Sequence, residues 1–71
     1  MLVKLSGNAT LDVPACIAAV RVHLGLGRGE ATQLVDAIAR GAVVPVPVES
    51  AEVAAALGVA LSDAGARVER T

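Results

Sequence analysis

Residues 17–38 read IAAVRVHLGLGRGEATQLVDAI, and this stretch decides the fold. Apolar residues recur at helical spacing on both sides of its glycines, with Val13, Ile17, Val20 and Leu24 before them and Ala31, Leu34, Val35 and Ile38 after them. Because glycine adopts positive φ without a steric penalty, Gly25 and Gly27 are expected to end one helix and turn the chain into the next. The stretch therefore predicts a helical hairpin whose second helix begins near Arg28.

Three short strands are predicted around the hairpin, over residues 2–5, 43–48 and 66–69. The second strand, VVPVPV, has prolines at alternate positions. Pro45 and Pro47 have no N–H group to donate, and residues two apart point their N–H groups to the same side of a strand. The sequence thus predicts an edge strand, with valines toward the core, and we expect no partner to add a strand along the proline side.

The predicted helices cover residues 13–24, 28–39 and 51–64. Asp12 and Ser50 precede the first and third of them, and both residue types accept hydrogen bonds from the free N–H groups at a helix start. Glycine is expected to end the second and third helices. The predicted core face of the third helix is made of Val53, Leu57, Ala60, Leu61 and Ala64.

The element order is therefore strand, helix, helix, strand, helix, strand. Two helices between the first and second strands favour an antiparallel pair, whereas one helix between the second and third favours a parallel relation with another strand between them. The sheet order 2-1-3 satisfies both conditions and leaves the proline strand at an edge. We expect a single α+β domain over residues 1–71, a two-layer β-α-α-β-α-β arrangement with three helices on one face of a three-stranded sheet.

Composition excludes several classes of function. The chain has 71 residues, a formal net charge of −1 and no aromatic residue, so we expect no nucleic-acid partner and no aromatic hot spot at an interface. Its uncharged runs are far shorter than the ~20 apolar residues that span a membrane. Cys16 is the only cysteine, and the first residues resemble no secretory leader, so a cytoplasmic location without membrane association is expected.

The chain has few residues of the types that catalyse reactions or bind metal ions. Cys16 and His23 lie two helical turns apart, a rise of about 10.5 Å, too far for one metal ion to bind both. Cys16 is expected to be a small buried residue, and His23 a partly exposed residue at a helix end. The glycines at 25, 27 and 29 follow a helix rather than a strand, which favours a turn over a phosphate-binding loop. No catalytic set forms around one histidine, so we expect no enzyme activity, no metal and no cofactor.

Motifs from the hairpin to the C-terminal part carry a family resemblance: Val20-Arg21, Gly25-Leu26-Gly27, Glu30-Ala31, Leu34-Val35-Asp36, Ala56-Leu57, Ala60-Leu61 and Ala64-Gly65-Ala66-Arg67-Val68-Glu69. On these residues nearly the whole chain resembles the C-terminal domain of the bacterial ribosomal stalk protein L-seven/L-twelve. The resemblance implies a non-catalytic protein–protein interaction module that binds a translational GTPase or a ribosome-associated factor. The implied binding face comprises the first two helices and the glycine turn, at Ile17, Arg21, Gly27 and Glu30, with Arg28 as an additional charge.

Other positions of that face differ from the family. The positions at which the family carries lysine are occupied in this chain by Val13, Ala18, Gly29 and Thr32. The chain lacks the dimerisation domain and linker of the stalk protein, so it is expected to be either an excised domain or a free-standing relative.

The protease adaptor ClpS, which shares this general fold, is the alternative. Residues 25–34 and Ala42-Val43-Val44 also resemble it, which implies an adaptor that recognises a peptide N-terminus. The chain offers only Asn8, and Asp12 further on, to hold the α-amino group of such a peptide.

Two surfaces remain outside these assignments. Ala55, Ala56 and Val59 fall off the core stripe of the third helix, which predicts weak self-association or a partner on that side. Lys4, Arg67 and Glu69 fall on the open face of the sheet and are expected to form a solvated charge cluster.

Overall fold

Three helices and three short strands make up the computed structural model, which describes residues 1–7 and 10–70. The elements in chain order are β1 (Leu2–Ser6), α1 (Val13–Leu24), α2 (Arg28–Ala39), β2 (Val44–Pro47), α3 (Ala51–Asp63) and β3 (Arg67–Arg70). The predicted helices are confirmed to within one residue. The second strand is shorter than predicted, since Val43 and Val48 lie just outside it, and the third strand keeps its predicted length but begins one residue later, at Arg67.

The sheet has the order β2-β1-β3, and β1 is antiparallel to both of its neighbours. Val46 is buried, whereas Pro45 and Pro47 are exposed. The Val48 N–H donates to the Met1 carbonyl at 2.8 Å. The valine N–H groups of this strand therefore face β1 and the proline nitrogens face outward, which confirms the predicted edge strand.

All three helices lie on one face of the sheet. In β1, Val3 and Leu5 are fully buried while Lys4 between them is exposed, as expected when alternate residues face the helices and solvent. The open face carries Lys4 with Arg67 and Glu69, whose side chains form an exposed ion pair at 3.6 Å. The predicted α+β fold is thus confirmed.

The core is entirely aliphatic apart from one thiol; its largest fully buried side chains are Leu5, Ile38, Leu57, Leu61, Val3, Val20, Val35 and Cys16. The buried face of α1 differs from the predicted stripe. Cys16 and Ala19 are buried, whereas Val13 is 37% exposed. The reason is that α1 packs against both α2 and α3, and small residues on its inner side allow both helices to approach.

Side-chain hydrogen bonds cap the starts of α1 and α3. The Asp12 carboxylate accepts a hydrogen bond from the Ala15 N–H at 3.3 Å, and the Ser50 hydroxyl oxygen accepts one from the Val53 N–H at 3.2 Å. Both caps satisfy N–H groups that have no partner within the helix. In α3 the predicted residues Leu57 and Leu61 are fully buried, and Ala54, which was not predicted, joins them.

Candidate protein-binding site

The turn between α1 and α2 is built by glycines with different roles. Gly25 adopts φ +68°, and its N–H donates to the Arg21 carbonyl at 3.1 Å, which closes α1. Leu26 is half-buried and packs against the core. Gly27 has φ −69° and ψ 164°, and its carbonyl accepts the Ala31 N–H at 2.9 Å. The expected positive φ at Gly27 is therefore wrong, because this residue precedes α2 and a residue in that position has an extended backbone.

This turn brings most of the predicted site residues to one end of the hairpin. Arg21 lies in the last turn of α1, and Gly27, Arg28 and Glu30 lie at the start of α2; all four are exposed. Ile17, one turn before Arg21, is half-buried and packs against the core. We call these five residues the hairpin patch. Its apolar centre is smaller than predicted, since much of Ile17 belongs to the core.

The charged residues of the hairpin patch differ in whether they stabilise or destabilise the helix that carries them. Neither ion pair of the described residues involves any of them. Arg21 near the end of α1 and Glu30 in the first turn of α2 both complement the helix dipole. Arg28 is the first residue of α2, where a positive charge faces the positive end of the dipole at a cost of about 0.3–1 kcal/mol. Arg28 is thus the charge that local stability does not explain.

Glycines leave the backbone open beside these charges. A Cβ added at Gly27 or at Gly29 would meet no other atom within 4 Å. Gly29 lies inside the first turn of α2 with no positive φ, so neither packing nor backbone conformation requires a glycine there. A glycine within a helix costs roughly 0.5–1 kcal/mol relative to alanine. The start of α2 therefore presents accessible backbone where a larger residue would fit.

Cys16 lies far from this surface, in the interior. Its side chain is fully buried, and its sulfur is 3.9 Å from the Ala64 carbonyl oxygen. Burial, with a smaller contribution from the negative charge of Asp12, raises the pKa of the Cys16 thiol above the usual 9.0. The folded thiol keeps its proton to higher pH than the unfolded thiol, so this group leaves stability unchanged below about pH 9 and lowers it above that value. The expected small buried residue is confirmed.

Burial predicts that Cys16 reacts slowly with a thiol reagent in the native protein. We expect the labelling rate at pH 8 to be about 100-fold or more below the rate in urea, because the sulfur becomes accessible only when the structure opens. The measurement is the absorbance change of a chromogenic disulfide, with the unfolded protein as control. A native rate within tenfold of the unfolded rate would show that Cys16 is accessible.

His23 and Asp12 are the other polar residues singled out from the sequence. His23 is half-buried in the last turn of α1, as predicted, and lines a cavity of about 200 Å³ together with Glu49. Within residues 1–7 and 10–70, no three side chains of histidine, cysteine, aspartate or glutamate lie together as metal ligands. Asn8 lies outside the described residues. The exposed Asp12 carboxylate caps α1 through one of its two oxygens.

A groove between α3 and β3 is the feature that sequence reasoning missed. Its volume is about 890 Å³, and Ala55, Gly58 and Val59 of α3 line it together with Arg67 and Val68 of β3. The exposure predicted for Ala55, Ala56 and Val59 is confirmed, and Val59 is 66% exposed. The sheet order 2-1-3 already implied that β3 is an edge strand, and this was the available signal for a surface at that edge.

None of the helices described is both long and apolar enough to cross a membrane. Within residues 1–7 and 10–69, the charged side chains are exposed and the buried side chains are apolar. In comparisons with family models, curated proteins and solved structures, nothing matches the chain.

Proposed function

We propose that this chain is a non-catalytic, cytoplasmic protein–protein interaction module of the ribosomal stalk type. The hairpin patch would bind a translational GTPase or a ribosome-associated factor. The observation that carries the proposal is Arg28, an exposed cation at the first position of a helix with no ion-pair partner among the described residues. A residue placed against local stability marks a candidate functional position.

The surroundings of Arg28 support a contact surface. Arg21 and Glu30 add exposed charges of both signs, and the exposed part of Ile17 adds apolar area. An apolar centre rimmed by charges is the usual composition of a modest protein interface. The open backbone at Gly27 and Gly29 would let a partner approach α2 closely, which side chains at these positions would prevent.

The resemblance to the stalk family supplies the class of partner. Several positions at which the family carries lysine hold uncharged residues here, Val13, Ala18, Gly29 and Thr32. The interaction would therefore depend on Arg21 and Arg28 for its positive charge. A partner with an acidic patch, contacting both arginines at once, fits this surface best.

Charge reversal tests the proposal directly. We expect Arg21→Glu and Arg28→Glu each to weaken binding to an immobilised translational GTPase by roughly 1–2 kcal/mol, because reversal places like charges across the interface. Arg28→Glu should at the same time raise the free energy of unfolding by about 0.3–1 kcal/mol, since a negative charge suits the start of a helix. Affinity is measured by surface plasmon resonance and stability by urea denaturation.

Arg40→Glu is the matched control, a charge reversal at the opposite end of α2, where Arg40 pairs with Asp36 at 3.2 Å. It should leave affinity unchanged. If Arg21→Glu and Arg28→Glu bind as the wild type does, the hairpin patch is not the site. If the wild type binds peptides with a free N-terminal Leu or Phe but not their acetylated forms, the adaptor alternative replaces the stalk-type function.

A further inference from the structure

The two edges of the sheet differ in their capacity to accept another strand. The outer side of β2 carries Pro45 and Pro47, and it cannot donate hydrogen bonds at those positions. The outer side of β3 contains no proline and has no neighbouring strand among the residues described. An edge of this kind presents free N–H and C=O groups that can pair with an additional strand.

The register identifies which groups of β3 face outward. The bond from the Val48 N–H to the Met1 carbonyl shows that alternate residues of β1, starting from Met1, direct their backbone groups toward β2. Lys4 therefore directs its groups toward β3, where it is opposite Glu69. By the same alternation, the backbone groups of Val68 point away from the sheet.

An apolar surface lies beside this free edge. Val59 is 66% exposed and lines the groove between α3 and β3 with Ala55. A Cβ added at Gly58 would come within 3.9 Å of the Val68 Cβ, so the helix passes close to the strand at this point. A strand added to β3 would extend the sheet and cover part of the exposed apolar surface of α3.

We propose that two copies of this chain associate through their β3 strands. The strands pair antiparallel about a two-fold axis at Val68, which joins the two sheets into one of the order β2-β1-β3-β3-β1-β2. Val68 of one copy then exchanges both backbone hydrogen bonds with Val68 of the other. This inference is independent of the proposed function, since the hairpin patch lies on other elements.

Charge complementarity selects both the partner and the register. With the axis at Val68, Arg67 of each copy lies opposite Glu69 of the other on the open face, so two cross-strand ion pairs form. An axis at Arg67 would place the two arginines opposite each other, and an axis at Glu69 would place the two glutamates opposite each other. Like charges directly opposite each other destabilise a sheet. The sequence Arg67-Val68-Glu69 is thus complementary to itself in one register.

The prolines limit the assembly to two copies. Edge pairing through β3 is isologous and therefore closed, because the same strand serves both partners. The remaining edges of the joined sheet are the two β2 strands, whose prolines block further addition. Because β3 has only four residues, the dimer is expected to be weak, with a dissociation constant on the order of 100 μM.

The test is sedimentation equilibrium of the full chain, at concentrations from below to well above the expected dissociation constant of about 100 μM. The wild type should show a monomer–dimer equilibrium. Arg67→Glu leaves acidic residues at both positions 67 and 69, and Glu69→Arg leaves basic residues at both. Each variant alone should therefore dimerise at least tenfold more weakly than the wild type. An equimolar mixture of the two variants should regain association as a heterodimer, because every opposed pair again has opposite signs.

Two further variants locate the contact. Val68→Pro removes the outward N–H and leaves the bonds of Arg67 and Glu69 to β1 in place, so dimerisation should be lost while circular dichroism shows an unchanged fold. Arg21→Glu, in the hairpin patch, should dimerise as the wild type does. A wild type that stays monomeric throughout overturns the proposal, as does a mixture that associates no better than its components or a dimer that Arg21→Glu abolishes.

Discussion

Replacing Leu57 with alanine is expected to remove most of the free energy of unfolding of the protein at 25 °C. Leu57 is fully buried in the middle of α3 and belongs to the single core cluster of the described residues. A buried Leu→Ala change costs about 2–5 kcal/mol, from lost burial and from the cavity that remains. A core in a domain of this size rarely supplies more than about 3–5 kcal/mol, so the substitution removes most of the stability.

Urea denaturation followed by circular dichroism measures this effect. Val22→Ala is the control, since it also shortens an aliphatic side chain on a helix but at a position that is 77% exposed. A surface substitution of this kind should change stability by no more than about 0.5 kcal/mol. A Leu57→Ala protein that unfolds cooperatively with a loss below about 1 kcal/mol would show that the core repacks around the missing atoms.

Replacing both Pro45 and Pro47 with threonine is expected to make the protein aggregate. The change restores two outward N–H groups on an edge strand that would then read VVTVTV, a segment of high β-propensity without charge. We expect the concentration at which light scattering appears to fall by about tenfold or more. If the β3 strands also pair, each molecule would have two usable edges and the aggregates would be fibrous.

Pro14→Thr provides the matched control, because Pro14 lies in the first turn of α1 and not in the sheet. It should leave the scattering threshold unchanged. Thioflavin T fluorescence distinguishes fibrous from amorphous aggregates. A double variant as well dispersed as the wild type would show that the prolines do not protect this edge, and so would a partner strand found along β2 of the native protein.

The local features of the fold could be predicted from the sequence because each depends on residues close together in the chain. Asp12 caps α1, Gly25 closes it with positive φ, and Ser50 caps α3. The prolines within residues 43–48 identify an edge strand, because they lack N–H groups that a central strand would donate to its neighbour. Connection rules then reduce the possible strand orders to the observed one.

The charged members of the hairpin patch could also be predicted, since they lie on either side of one short turn. The burial of Cys16 and Ala19 could not be predicted in this way. The apolar periodicity of α1 indicated a stripe that includes Val13 and Ile17, yet Cys16 and Ala19 form the buried side. A helix that packs against two others buries the side on which small residues allow close approach, and that side depends on partners distant in the chain.

By itself, the sequence determined where the helices begin and end to within one residue, the order of the strands and which edge is closed, because these depend on caps, glycine and proline geometry and short connections. Tertiary structure alone decided which residues of different helices and strands lie next to each other. The groove of about 890 Å³ exists because α3 packs over β3, where a Cβ added at Gly58 would come within 3.9 Å of the Val68 Cβ. Such a surface depends on the packing distance between elements, which periodicity and local propensity do not specify.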